Sequence, residues 1–240
     1  MPTPPSRFYR NAARPLQALL TSATRKDWHG AEHLPKDTGF IAVSNHLSYA
    51  DPLTLAHFLY NNGHPPRILA KESLFRAPFI GWLLRGFDQI PVHRGTSRAA
   101  EAVDAAVEYL ERGDMIAMFP EGTLTRDPDL WPMAARTGVA RMALSTGVPV
   151  VPVAQWGAHR LLPPYGKMIH PIPRKTITVV AGPPVDLDDL RGGDLDTATL
   201  REATDRIMTT LTGMVAEIRG ETPPEKPFDM RASGEGRPAR

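Results

Sequence analysis

From residue 40 to residue 218 short apolar runs alternate with amphipathic stretches in one unbroken block. Residues 40–44, 67–70, 87–92, 115–119, 150–154 and 176–180 have the length and apolar character of strands. Residues 52–60, 78–84, 97–111, 137–145 and 197–218 read as helices. The helix over 97–111 is the clearest, because Ala99, Val103, Ala106, Val107 and Leu110 recur every three to four residues and share a face. Gly147 stands where a left-handed cap would end the helix over 137–145. Strands alternating with helices predict one α/β domain with a mixed, largely parallel sheet flanked by helices. In such sheets chemistry gathers in the loops beyond the carboxyl ends of the strands.

The flanks differ from this block. Residues 8–24 predict a helix with Phe8, Ala12, Leu16, Leu19 and Leu20 roughly on one side, kinked or split at Pro15. The first 26 residues carry Arg7, Arg10, Arg14, Arg25 and Lys26 and no acid, a pattern suited to an anionic lipid surface. An ordinary amphipathic helix packed on its own domain fits the same pattern. The division that follows is an N-terminal membrane-associating helical segment over 1–28, a domain over 29–220, and a tail over 221–240. Pro, Gly and charge in that tail predict disorder.

Composition removes several classes. The chain has no Cys, which excludes disulfides, thiolate metal sites and cysteine nucleophiles. A net charge of +2 does not mark a nucleic-acid binder, and no nucleic-acid partner is expected. No run approaches the ~20 apolar residues that a spanning helix needs, so a lipid-active chain of this kind would lie on the membrane.

Two loops follow strand ends and carry reactive side chains. In Ser44-Asn45-His46-Leu47-Ser48-Tyr49-Ala50-Asp51-Pro52 a His leaves a buried strand and an Asp stands five residues on, at a helix start. A turn that folds Asp51 back beneath the imidazole would fix its tautomer and leave the other nitrogen to take a proton from a hydroxyl. Asp before Pro is also an ordinary helix N-cap, and that alternative stays open. In Phe119-Pro120-Glu121-Gly122-Thr123-Leu124-Thr125-Arg126 a strand runs into an acid, a Gly and two hydroxyls, where backbone N–H groups can approach an anion. A third segment, Gly86 to Gly95, ends a strand in Arg94, whose guanidinium could clamp a phosphate or serve as a surface ion-pair partner.

Taken together and in this order, the segments resemble the glycerolipid acyltransferase family that includes the bacterial 1-acylglycerol-3-phosphate acyltransferases. The family's His-x4-Asp motif is matched by His46 and Asp51. Its strand ending in Arg is matched by 87–94, its Phe-Pro-Glu-Gly-Thr by 119–123, and its Val-Pro-rich strand by 148–153. Lys71 stands where the family often has a Lys. The chain departs from the family in having Leu124 after Gly-Thr, Arg136 before Thr-Gly, and Ile90-Pro91-Val92-His93-Arg94 at the third motif.

The resemblance implies acyl transfer from acyl-coenzyme A or acyl-carrier protein to a hydroxyl of lysophosphatidate or a related glycerol-phosphate acceptor, in phospholipid biosynthesis. Glycerol 3-phosphate or another lysophospholipid is the alternative acceptor. His46 would be the general base and Asp51 its orienting partner. Lys71, Arg94, Glu121, Gly122 and Thr123 would line the acceptor site, with Glu121 better suited to a hydroxyl or to holding the base. No cofactor and no metal is implied, and the expected place of work is the cytoplasmic face of the cell membrane. A metal-dependent phosphoesterase using His46, Asp51 and Glu121 as ligands, and a non-catalytic lipid-binding module, are the rival readings.

Overall fold

The computed structural model describes residues 4–93 and 99–230. The chain opens with helix α1 (Arg7–Ala23), capped by the Ser6 hydroxyl, which accepts the Tyr9 N–H at 3.0 Å. Pro15 neither splits the helix nor ends it. It sits on the exposed side, as does Asn11, so the carbonyl that Pro15 leaves without its N–H donor faces water. Tyr9, Ala13 and Leu20 are buried against the domain, and the Tyr9 ring stacks on Tyr60. Of the expected stripe Leu20 is buried, Phe8, Ala12 and Leu16 are half-buried and Leu19 is exposed, so α1 turns most of its apolar surface toward the domain and shows Arg7, Arg10, Arg14 and Leu19 outward.

Strand β1 (Thr24–His29) follows at once. The expected boundary of the helical segment at 28 therefore falls inside a strand that belongs to the sheet. Beyond it come β2 (Ile41–Val43), α2 (Asp51–Asn61), β3 (Arg67–Lys71), α3 (Glu72–Arg76), α4 (Pro78–Gly86) and β4 (Ile90–Val92). The second half holds α5 (Ala99–Glu111), β5 (Ile116–Met118), α6 (Gly138–Thr146), β6 (Val150–Trp156), α7 (Ala158–Leu161), β7 (Lys175–Ala181) and α8 (Thr197–Arg219). Gly147 caps α6 with φ +69°. After Gly220 the chain has no helix or strand through Met230, though the Phe228 carbonyl accepts the Ala134 N–H at 3.0 Å. The rest of the tail lies outside the described residues.

The seven strands form one sheet in the order β1-β7-β6-β2-β5-β3-β4. The five from β6 to β4 run parallel, and β7 pairs antiparallel with β6 and parallel with β1. The sheet is mixed and largely parallel, as the alternation of strands and helices predicts. Side chains of β2 divide between its faces. Ile41 and Val43 pack with α5, α6 and the first half of α8, while Ala42 packs with Leu55, Phe58 and Leu59 of α2. Such two-sided burial is why the central strands are continuously apolar. It also leaves the carboxyl ends of β2 and β5, side by side in the middle of the sheet, free to carry loops of polar sequence.

Candidate active site

The loop leaving β2 folds around one carboxylate. Asp51 Oδ2 accepts from His46 Nδ1 at 3.1 Å, from the Leu47 N–H at 2.5 Å and from the Ser48 N–H at 2.7 Å. The Asp51 side chain thus reaches back along the chain. It does not cap α2, whose N-cap residue is Ala50 without a side-chain bond, so the ordinary capping alternative is corrected. Pro52 still opens the helix, where its missing N–H costs nothing. Ser48 secures the same turn from outside, donating to the Leu162 carbonyl at 2.6 Å and accepting the Ala50 N–H at 3.0 Å.

The loop leaving β5 locks onto this one. Glu121 Oε1 accepts the His46 N–H and Oε2 accepts the Met133 N–H, both at 3.0 Å. The Thr125 N–H donates to the His46 carbonyl at 2.7 Å. The Phe119 ring lies nearly parallel to the His46 imidazole, centroids 4.2 Å apart. Both main-chain groups of His46 are therefore held by the second loop, while its ring keeps 12% exposure. Glu121 is only 2% exposed, and burial pushes its carboxyl up to about 8. The two N–H donors pull it back down, and the charges of Asp51 and Asp127 add a smaller upward push.

A third, wholly buried layer ties β2 to β6. The Asn45 amide donates to the Gln155 carbonyl and its Oδ1 accepts the Gln155 N–H, each at 2.9 Å. The Gln155 amide donates to Ser44 Oγ at 3.0 Å, and its Oε1 accepts from the Thr54 hydroxyl at 2.7 Å. Gln155 and Thr54 are not among the residues that the sequence motifs single out, and Phe119, though it opens the second motif, was given no role there. Gln155 had a signal nonetheless: an amide inside the otherwise apolar run Val150–Trp156 needs buried partners.

The structure brings His46, Asp51 and Glu121 together, and Gly122 and Thr123 follow directly on. Gly122 turns at φ +74°, donates its N–H to the Phe119 carbonyl at 3.0 Å, and a Cβ there would come within 3.4 Å of Arg136 Nε. Arg136 thus stands over the Gly-Thr turn. Thr123 is half-buried. Both oxygens of Glu121 point into the protein at backbone donors, away from an acceptor, and its contact with the main chain of His46 fits the other expected role, holding the base. Lys71 is exposed at the carboxyl end of β3, two strands from β2. Arg94 lies outside the described residues. The described residues contain no cluster of three or more His, Asp or Glu side chains arranged to hold a metal ion. As a ligand set, His46, Asp51 and Glu121 do not converge, because the oxygens of Glu121 accept from N–H groups.

An imidazole with a buried carboxylate on Nδ1 and a fixed main chain can remove a proton from a hydroxyl through Nε2. The family model described as Acyltransferase matches residues 25–156, more than half of the chain. The chain belongs to the Acyltransferase family. The acyltransferase match runs from β1 to the end of β6 and so contains every motif residue above, from His46 to Thr123, together with Gln155.

Similar proteins agree. The 1-acyl-sn-glycerol-3-phosphate acyltransferase of Borreliella burgdorferi is 36% identical over 131 residues, 54% of this chain and 50% of that protein. The chloroplastic 1-acyl-sn-glycerol-3-phosphate acyltransferase BAT2 of Brassica napus is 33% identical over 58% of this chain and 39% of its own length. This acyltransferase chain thus spans half or less of either relative. The crystal structure of the 1-acyl-sn-glycerophosphate (LPA) acyltransferase PlsC from Thermotoga maritima superposes with a TM-score of 0.63 at 25% identity, covering 90% of this chain and 85% of that one.

Proposed function

We propose that this chain transfers a fatty acyl group from a thioester to a hydroxyl of lysophosphatidate or a related glycerol-phosphate acceptor, with His46 as general base. The observation that carries the proposal is the His46–Asp51 contact at 3.1 Å, in a loop whose main chain is held by Glu121 and Thr125. Family membership and the names of the relatives supply the reaction class.

In this reading His46 Nε2 takes the proton of the acceptor hydroxyl while Asp51 stabilises the imidazolium that forms. The alkoxide oxygen bonds to the thioester carbonyl carbon and gives a tetrahedral oxyanion. Collapse of that intermediate breaks the carbon–sulfur bond, and the departing thiolate recovers the proton from His46. A thiolate is a good leaving group, so the base and a few donors to the oxyanion suffice. Gly122, Thr123 and Arg136 offer the acceptor phosphate a turn of backbone and a guanidinium. Arg94 and Lys71 are assigned to the same group by their motifs. The donor is acyl-coenzyme A or an acyl-carrier protein, and the setting is phospholipid synthesis at the cytoplasmic face of a membrane. Among the described residues no helix is long and apolar enough to cross one.

Relatives also include the N-acylphosphatidylethanolamine synthase of Arabidopsis thaliana, 30% identical over 191 residues, so the acceptor is the part to test. Purified protein is to be assayed for thiol release from acyl-coenzyme A and from acyl-carrier protein against lysophosphatidate, glycerol 3-phosphate and other lysophospholipids. Release that depends on lysophosphatidate is expected. Release with none of these acceptors would sink the proposal.

A further inference from the structure

Large apolar side chains on the outside of this molecule are not scattered. Among the described residues they fall, apart from Leu19 of α1, in three connections: those leaving the carboxyl ends of β2, β3 and β6. The crossovers and helices on the rest of the surface contribute none. In the β6–β7 connection Met168 is 70% exposed, Ile169 60% and Ile172 87%. In the β3–β4 crossover Phe79, Ile80 and Trp82 stand out in the same way. The strand order places β6 beside β2 and β3 beside β5, so these two connections flank the loops that carry His46 and Glu121.

Charge is distributed to match. No acidic residue occurs between Asp129 and Asp186, whereas the β6–β7 connection carries Lys167 and His170 and runs into Arg174 and Lys175. The connection is also fixed at both ends. The Tyr165 hydroxyl donates to the Leu124 carbonyl at 3.1 Å, beside the Gly122-Thr123 turn. The Arg174 guanidinium donates to the Thr21 and Thr24 carbonyls where α1 meets β1. In the β6–β7 connection, exposed apolar tips with cations and no acid along the chain have the composition of a surface that enters the headgroup region of an anionic bilayer.

We propose that the acyltransferase docks on an anionic lipid surface through the β6–β7 connection, with Met168, Ile169 and Ile172 inserted and the β3–β4 crossover as a second contact. This rests on the acyl-transfer reading above and adds the orientation in which it works: catalytic loops facing the membrane, so that a lysolipid acceptor reaches His46 from the bilayer. It also moves most of the apolar part of the anchor away from α1, where Leu19 is the one exposed large apolar side chain among the described residues.

The full chain contains no Cys, so single Cys variants can be labelled without background. An environment-sensitive dye on Ile172→Cys is expected to shift to the blue on vesicles of phosphatidylcholine and phosphatidylglycerol. The same dye on Ser145→Cys, exposed in the last turn of α6 and so at the opposite, amino end of β6, is expected not to. A shift at neither position, or equally at both, overturns the proposal. The triple variant Met168→Ser, Ile169→Ser, Ile172→Ser should partition onto those vesicles at least about tenfold less than the parent. It should turn over a water-soluble short-chain acceptor as the parent does. Parent-like partition of the triple variant overturns the docking and leaves turnover standing; absent turnover in both proteins overturns the chemistry and leaves the partition result standing. If the surface instead pairs two copies of the chain, sedimentation velocity will show a dimer that the triple variant loses and vesicles will not bind, which also overturns the proposal.

Discussion

Asp51 is the residue whose structure most changes how it should be tested. One of its oxygens, Oδ2, takes all three bonds, and Oδ1 is buried without a partner among the described residues. Asn can place its single carbonyl oxygen where Oδ2 lies and keep the Leu47 and Ser48 N–H groups satisfied. Asp51→Asn therefore removes the charge beneath His46 and little else. It should lower turnover by a factor on the order of 10² to 10⁴ with KM close to the parent value. Turnover near the parent's would confine Asp51 to shaping the loop. At this scale the sequence was informative where a side chain works on its neighbours: the short loop put Asp51 within reach of His46, capping fitted the same spacing, and the resemblance to a family motif singled out the pair. Glu121 shows the limit. Its bond to the His46 N–H joins residues far apart in the chain, and the sequence left open whether this acid meets a substrate hydroxyl or holds the base until both oxygens are seen facing backbone donors.

Among the elements, β6 deserves the experiment. Its Gln155 binds Ser44 and Thr54 through the side chain and Asn45 through the main chain, so it braces both ends of the loop that carries His46. Gln155→Leu keeps the bulk, leaves the Ser44 hydroxyl without its donor and should cost about 1–3 kcal/mol. A positioning role predicts more than this loss: kcat should drop well beyond what the unfolded fraction explains, with KM little changed. A stability loss with parent-like kcat would reduce the bridge to a structural one. The elements themselves were mostly visible in the periodicity, since central strands buried on both faces are unbroken apolar runs. β1 was not. Thr24-Arg25-Lys26-Asp27-Trp28-His29 is charged because it is an edge, with the Lys26 ammonium over the Trp28 ring, and an edge strand needs only one neighbour. α4 was legible as a short apolar helix, but which way it faces was not: Phe79, Ile80 and Trp82 face out.

For the whole molecule, Glu121 on one side and His57, His64 and His159 on the other set opposing pH dependences. Burial raises Glu121 from its ordinary 4.5 to about 8, so the native state holds a proton that the unfolded chain releases. Its contribution is complete below pH 4.5 and is lost as pH rises toward 8. Burial lowers His57 and His159 from 6.5 to about 4, so there the unfolded chain binds protons that the native state refuses. Their contribution is complete above pH 6.5 and is lost as pH falls toward 4. His64, which burial also holds below its ordinary value, adds to the histidine side, and the opposing slopes cancel between about pH 6.5 and 7. Thermal unfolding followed across pH 4 to 9 should therefore peak near there. Glu121→Gln should move the peak upward while lowering it, because an amide nitrogen replaces one of the acceptors facing the His46 and Met133 N–H groups. An unmoved peak in that variant would mean that Glu121 is ionised in the native protein at neutral pH.

The pairing of β1 with β7 also sets an order of events during synthesis. β1 is complete at His29, yet its strand neighbour β7 starts at Lys175. A ribosome must make the whole family-matched region and the β6–β7 connection after it before that edge can close. Until then the basic Arg25-Lys26 stretch has no ladder to join. Nascent chains arrested ahead of Lys175 should be cut by trypsin at those residues, and chains released after Ala181 should resist. Equal resistance in the shorter chains would mean that α1 holds β1 in place before its neighbour exists.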